Sequence, residues 1–402
     1  MNRSALLALG IVCAVCATGA SAQQSATMQQ FQIGKAGTYD GTSGFESNDA
    51  SSFSLAVPEG NWRVTVEIGN AAKAATTTIK AESRRLMIDR LATRKGRFLS
   101  RSFIVNVRTA SLAAPPLNAP GGTSVLLKPG ERGSRTWDDK LTLEFSDPAN
   151  IRRVAIEPAD VPTIYLTGDS TVTDQRFEPA ASWGQMLPVF TRNTVAVANH
   201  AESGETLKSF QTELRLAKAL SAMRKGDFLF IQFGHNDQKS QWPQTYVDPV
   251  ITYPAYLRAY IAEARQRGAL PVLVTSPERR NYEPDGSVRD TLGTYAEAVR
   301  KVAREDGIPL IDLNRYTRKL YADLGEDRAA LLFNDAGRDR THHNNAGAWL
   351  LGRFIAAVTG LLVPQLSGSF LPPDSLEDEA AYRHALGIAP SKAISRTRPD
   401  GN

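Results

Sequence analysis

Cysteine is nearly absent from this 402-residue chain: Cys13 and Cys16 are the only two, and both precede Ala22. They lie in a stretch that reads as a secretory signal, with Arg3, an apolar run from Ala5 to Ala17, and small residues at Ala20-Ser21-Ala22. Cleavage is expected after Ala22. The run is too short to span a bilayer, and neither cysteine follows the small-residue pair that a lipid anchor needs. A chain processed in this way has no thiol, disulfide or Cys-ligated metal. Export without disulfides points to a bacterial periplasmic or extracellular protein. Histidine is scarce too, with five in the chain and no His-x-His or His-Glu-x-x-His spacing, so neither a metal site nor a cofactor is expected. Dense Lys/Arg blocks are missing, and the formal charge is +5, or +4 once Arg3 is removed. That balance tolerates an acidic substrate and argues against nucleic acid as a partner. No later stretch reads as a transmembrane span, no internal repeat is evident, and a monomer is expected.

What is present divides in two, as the length suggests. Between Phe31 and Pro158 short stretches alternate or carry β-branched and aromatic residues: Ser52–Val57, Trp62–Ile68, Thr76–Ala81, Ser102–Val107, Lys140–Phe145 and Arg153–Glu157. Gly, Pro, Asn and Asp separate them, which predicts a β-sandwich or jelly roll. Tyr39 and Trp137 are candidates to stack on a sugar ring, and Trp62 is a candidate core residue. From Val161 strands alternate with helices. The predicted strands are Thr163–Thr167, Thr194–Asn199, Asp227–Phe233, Pro271–Thr275 and Pro309–Asp312. The predicted helices are Leu207–Met223, Ala255–Gln266, Leu292–Glu305 and Ala346–Leu361, with Gly226, Gly268, Gly307 and Gly360 as stops. This alternation implies a parallel sheet covered by helices on both faces, with ligands at the carboxyl ends of its strands. Past Val363 the chain is Pro-, Ser- and charge-rich. Asp374–Leu386 is predicted to form a short helix and Pro390–Asn402 to be disordered. The expected organisation is a signal over 1–22, a sandwich over 23–160, an α/β domain over 161–362 and an extension over 363–402.

Polar residues collect at the predicted strand ends. The first strand ends in Gly168-Asp169-Ser170, the second in Asn199-His200-Ala201-Glu202-Ser203-Gly204, and the third in Gly234-His235-Asn236-Asp237-Gln238. Asp339-Arg340-Thr341-His342-His343 precedes the last helix of the α/β part. Acyl transfer from serine needs a base, a carboxylate that fixes the base's tautomer, and donors for the oxyanion. Ser170 is the candidate nucleophile, His342 the base, and Asp339, three residues earlier, its partner. The N–H groups of Ser170 and Gly204 and the amide of Asn236 are candidate oxyanion donors. His343 is a second candidate base, while His384 is not one.

In order and setting Ser170, Gly204, Asn236 and His342 resemble the four residues that name the SGNH (GDSL-type) hydrolases. Gly168-Asp169-Ser170-Thr171-Val172, Asn199-His200-Ala201, Phe233-Gly234-His235-Asn236-Asp237-Gln238-Lys239 and Asp339-x-Thr341-His342 resemble rhamnogalacturonan and pectin acetylesterases. The resemblance spans roughly Thr163–Leu361. It implies a flavodoxin-like three-layer α/β/α fold and metal-free removal of acetyl groups from pectic sugars. It also implies a galactose-binding-type sandwich ahead of the hydrolase domain. The sequence departs from it at Glu205-Thr206-Leu207-Lys208, where many members are rich in Arg and Ser.

Candidate substrate contacts are His235, Trp183, Trp242, Arg279 and Arg280, the arginines as partners for galacturonate carboxylates. Trp183 is equally compatible with the core, and the arginines with Glu278 or Glu283. Asp169 and Asp237 are expected to brace turns, and His200 to be buried. The expected partner is an acetylated polysaccharide or oligosaccharide. Alternatives are an O-acetylesterase acting on xylan or peptidoglycan, a short-chain esterase or lipase, and a non-catalytic carbohydrate-binding protein.

Overall fold

Alternation along the strands places the amino-terminal core. In Gly60–Gly69 the side chains of Trp62, Val64, Val66 and Ile68 are buried, while Arg63, Thr65 and Glu67 between them stay partly exposed. A strand with one apolar face must bury that face against another layer. The computed structural model, which describes residues 28–371, 378–395 and 399, supplies that layer. Its first nine strands are β1 (Gln29–Gln32), β2 (Ser43–Glu46), β3 (Asp49–Ala56), β4 (Gly60–Gly69), β5 (Ala75–Ala81), β6 (Arg85–Thr93), β7 (Phe98–Val107), β8 (Lys140–Phe145) and β9 (Ile151–Pro158). They form two antiparallel sheets, ordered β1-β9-β4-β7 and β2-β3-β8-β5-β6. Phe53, Leu55, Ile79, Leu141 and Leu143 of one sheet meet Val64, Val66, Phe103 and Val154 of the other in a single core. Trp62 packs there. Trp137 is buried rather than exposed, and Lys140 covers the Tyr39 ring. Strands β1, β2 and β6 have no counterpart in the predicted set; β6 opens on the buried Arg85, which breaks the apolar pattern.

The second half is a parallel sheet of β10 (Thr163–Gly168), β11 (Ala196–Asn199), β12 (Phe228–Gln232), β13 (Leu270–Val274) and β14 (Leu310–Ile311), ordered β11-β10-β12-β13-β14. Ile164, Leu166, Phe228, Phe230, Val272 and Val274 point to one face, and Tyr165, Leu229, Ile231 and Leu273 to the other. Each face therefore has its own helical layer. The first holds α1 (Trp183–Met186), α6 (Leu313–Ala330), α7 (Asn345–Leu362) and α8 (Asp378–Leu386). The second holds α2 (Leu207–Thr212), α3 (Arg215–Ala222), α4 (Thr252–Gln266) and α5 (Gly293–Asp306). The chain passes from β10 to β11 on one side and returns to β12 on the other. That makes the carboxyl end of β10 the switch point where an open α/β sheet binds ligands.

Several expectations change. Leu207–Met223 is two helices, because Leu214 adopts a left-handed conformation (φ 63°) and the Glu213 carbonyl accepts from the Leu126 N–H (3.0 Å) instead of continuing the ladder. Helix α6 was not predicted, since its buried face includes Asn314 and Thr317 and the apolar period is weak. Gly360 lies inside α7, and Pro364 marks where that helix has ended. By length and composition α7 could cross a membrane, contrary to expectation; it is instead 61 % buried in the fold, with Trp349 against Phe190. The predicted tail helix begins at Asp378, with 374–377 outside the described residues. Residues 390–395 are held rather than free: Ser391 N–H donates to Glu178 Oε1 (2.7 Å), and Ser395 N–H to the Glu178 carbonyl (2.9 Å). The signal segment and residues 396–398 and 400–402 lie outside the described residues.

Candidate active site

Strand β10 must turn sharply to present the residue after its end, and Gly168 makes the turn possible. A Cβ at 168 would sit 2.5 Å from Val172 Cγ2 and 2.7 Å from the Gln232 carbonyl. Asp169 closes the turn, its Oδ1 accepting from Thr171 N–H (2.9 Å) and Thr171 Oγ1 (2.8 Å). Gln232 Nε2 donates to the same hydroxyl (2.7 Å), and Trp183 Nε1 fixes Gln232 (2.7 Å). From the other side Asn199 Nδ2 donates to the Val172 carbonyl (2.7 Å) and Asp174 (2.8 Å). Burial pushes the Asp169 carboxyl up, against the lowering effect of its two Thr171 hydrogen bonds.

The turn delivers Ser170 to His342. Ser170 Oγ lies 2.8 Å from His342 Nε2, and His342 Nδ1 lies 2.8 Å from Asp339 Oδ2. The other Asp339 oxygen accepts from the N–H groups of Thr341 (2.9 Å) and His342 (3.0 Å). Burial alone would raise the Asp339 pKa, but the hydrogen bond and charge of His342 and the two backbone donors outweigh it and hold the group at about 2. All three side chains are buried. This arrangement lets a serine hydroxyl pass its proton to an imidazole whose tautomer is fixed by a carboxylate. His343 faces away, its Nε2 2.7 Å from the Tyr321 hydroxyl, and burial lowers its pKa to about 3.

The next strand ends supply donors. Gly204 has φ 81°, which suits glycine, and turns the 202–205 loop beside the β10 turn. Gln175 Nε2 links the two, donating to the Ser170 carbonyl (2.7 Å) and lying 3.5 Å from Ser203 Oγ. Asn236 Nδ2 donates to the Glu205 carbonyl (3.0 Å) and its Oδ1 accepts from Lys239 Nζ (3.2 Å), so one amide hydrogen is left to point elsewhere. Asp237 Oδ1 accepts from the Leu207 N–H (2.9 Å) and ties this strand end to α2, and burial raises its pKa to about 8.

Comparison with known proteins places this geometry. The profile of the GDSL-like lipase/acylhydrolase family matches residues 166–350. Rhamnogalacturonan acetylesterase RhgT of Bacillus subtilis is 36 % identical over 206 residues, covering 48 % of this chain and 87 % of that protein. The chain belongs to the GDSL-like lipase/acylhydrolase family. It is a carboxylic ester hydrolase. The probable rhamnogalacturonan acetylesterase YesY of B. subtilis is 35 % identical over 196 residues, covering 48 % of this chain and 90 % of its own length. The uncharacterized esterase YxiM of B. subtilis is 26 % identical over a longer stretch of 316 residues, 77 % of this chain and 74 % of that protein.

Around Ser170, His342 and Asp339 of this GDSL-like hydrolase the other candidates separate. His235 is buried, and burial, with the charge of Arg279 next, holds its pKa well below the usual range, so it is neutral. Trp242 is 39 % exposed with Lys239 Nζ 4.5 Å from its ring, and it remains available to a ligand. Arg279 flanks the site, donating to the His235 carbonyl (3.3 Å) and Thr291 Oγ1 (3.2 Å). Two candidates are corrected. Trp183 is 1 % exposed and belongs to the brace behind the serine turn. Arg280 is buried against Phe333, donating to the carbonyls of Gly337 and Glu326, and its backbone N–H donates to the Arg340 carbonyl (2.8 Å). It shapes the segment that carries Asp339 and cannot reach a sugar. His200 is buried as expected. Sequence reasoning missed Gln175, Thr171 and Gln232, because each acts on the turn rather than on a ligand. A polar residue at the end of a fully buried strand was the available signal for Gln232.

Proposed function

We propose that this hydrolase removes acetyl groups from pectic polysaccharide, rhamnogalacturonan or homogalacturonan, through an acetyl-enzyme on Ser170. The observation that carries the reading is the unbroken hydrogen-bond chain Ser170 Oγ–His342–Asp339, 2.8 Å at each step. His342 Nε2 takes the Ser170 proton as Oγ bonds to the acetyl carbon. The N–H groups of Ser170 and Gly204 and the Asn236 amide hold the oxyanion. His342 gives its proton to the sugar oxygen as the C–O bond breaks. Water then attacks the acetyl-enzyme by the same route and releases acetate. The substrate class is favoured by the names of RhgT and YesY and by Lys239 and Arg279, two cations bordering the site that suit a uronate carboxylate. The division into a sandwich over 23–160, a hydrolase domain over 161–362 and an extension, together with a monomeric state and export to the periplasm or beyond, belongs to the same reading.

Acetate release from acetylated rhamnogalacturonan, homogalacturonan, xylan and peptidoglycan tests it. Pectic substrates are expected to lead, and equal release from all four would end the pectic assignment while leaving the esterase intact. Asn236→Ala is expected to fold normally and to turn over on the order of 10²–10³ more slowly, the usual cost of one oxyanion donor. Wild-type turnover in that variant would remove Asn236 from the mechanism.

A further inference from the structure

The loop that carries Gly204 is gripped from outside the α/β half. Lys128, from the stretch between β7 and β8, donates through Nζ to the Ser203 carbonyl and pairs with Glu205 Oε1 at 2.6 Å. It therefore holds the residues on either side of Gly204. Glu131, three residues on, accepts from the Lys128 N–H (2.8 Å), from Trp137 Nε1 (2.8 Å), and from Arg215 Nη1 (2.9 Å) and Nη2 (2.6 Å). Arg215 in turn sits 3.4 Å from Glu205 Oε1. The side chains of Glu131, Arg215 and Glu205 are fully excluded from solvent.

Such a network is costly to bury for stability alone, because desolvating two carboxylates and a guanidinium offsets most of their attraction. What it fixes is a place. The Glu205 carbonyl is the acceptor that orients the Asn236 amide (3.0 Å), and the Ser203 carbonyl belongs to the peptide whose N–H is that of Gly204. Glu205 also opens the segment where the sequence departs from the acetylesterases it otherwise resembles. A carboxylate at that position needs a cation, and Lys128 and Arg215 supply two.

We infer that residues 126–137 of the amino-terminal half are part of the esterase site, with Lys128 and Glu131 as positioning residues that set the oxyanion donors at Gly204 and Asn236. The inference rests on the oxyanion role given above to those two residues. It assigns the β-rich half a task in catalysis that needs no contact with the sugar. Lys128 acts through the backbone on both sides of Gly204, and Glu131 acts by holding Lys128 and Arg215. Displacement of a donor by about 1 Å is enough to cost on the order of 10²-fold in rate.

Kinetics on the full chain test this. Lys128→Met removes the ammonium and keeps the stem. It is expected to lower kcat about 10- to 100-fold, to leave KM for a small acetyl ester within about threefold, and to lower the urea midpoint while the protein stays folded, because the buried Glu205 carboxylate is left with Arg215 at 3.4 Å. The deciding measurement is the same substitution in the Asn236→Ala background. If Lys128 works through both oxyanion donors, its loss there is expected to be smaller than in the parent, because Asn236, one of the two donors it positions, is already gone while Gly204 remains. Equal losses in both backgrounds, or an unchanged kcat in the single variant, would overturn the inference. Should Lys128→Met not accumulate as folded protein, Lys128→Gln, which keeps a donor for the Ser203 carbonyl without the charge, is read by the same comparison. A silent Asn236→Ala with an impaired Lys128→Met would instead count against the oxyanion assignment of Asn236. An active Ser170→Ala would count against the whole esterase reading.

Discussion

Ser170→Ala is expected to lower turnover on an acetyl ester by on the order of 10⁶, the scale seen when the nucleophile of a serine–histidine–carboxylate system is removed. The substitution deletes one oxygen and leaves the geometry that presents it. The turn is held by Gly168, the Asp169–Thr171 bonds and the Gln232–Trp183 brace, none of which uses the Ser170 side chain. The hydroxyl's loss deprives His342 Nε2 of one partner, so stability should change by about 1 kcal/mol. Activity and folding should therefore come apart: the thermal midpoint stays near that of the parent while acetate release falls to the level left by binding and oxyanion stabilisation. Steady-state hydrolysis of an activated acetyl ester beside a thermal melt makes the measurement. A loss of less than tenfold in a folded variant would show that another group attacks the ester. A parent enzyme without ester turnover would leave the carbohydrate-binding reading standing.

How much of this was legible beforehand depends on whether a residue acts alone or through others. The five strands of the parallel sheet were placed to within a few residues because both their faces are apolar. Ser170, Gly204 and Asn236 stood out because they follow strands where such sheets bind ligands, and His342 because it stands with Asp339 just ahead of the last helix of the α/β part. Asp339 was readable as well, since three residues is a spacing that local backbone can close. The failures share another cause. Trp183 and Arg280 have the side chains of ligand contacts, and their nearness to the site in sequence is real. Trp183 nevertheless points into the layer beneath the sheet to hold Gln232, and Arg280 toward the carbonyls of Gly337 and Glu326. Sequence shows which residues are near a strand end, not which way they face. The break at Leu214 was hidden because it answers to Leu126, nearly ninety positions away. Helix α6 was hidden because Thr317 and Asn314 are buried by satisfying partners such as Glu278.

Asp339→Asn should be the most damaging substitution after the serine, and its hydrogen bonds say why. Asp339 Oδ1 accepts two backbone N–H groups, from Thr341 and His342. An asparagine must keep its carbonyl oxygen there, since turning the amide would set N–H against N–H. Its NH₂ group is thereby forced toward His342 Nδ1, which then has to accept and moves the ring proton to Nε2. That proton faces Ser170, so the imidazole can no longer take one from it. The expected result is a fall of about 10⁴ in kcat with KM little changed. The variant should also lose an acid-sensitive share of stability. In the folded protein Asp339 is held at about 2, below its ordinary 3.8, so the ionised form is favoured by folding. This contribution, about 2 kcal/mol, is fully present above roughly pH 4 and is lost as pH falls toward 2. Urea midpoints of parent and variant should therefore differ most near pH 5 and converge as pH falls toward 2. A variant within tenfold of the parent in kcat would mean that something other than Asp339 sets the tautomer of His342. A stability gap that does not narrow on acidification would mean that the carboxylate is not held by the donors that surround it.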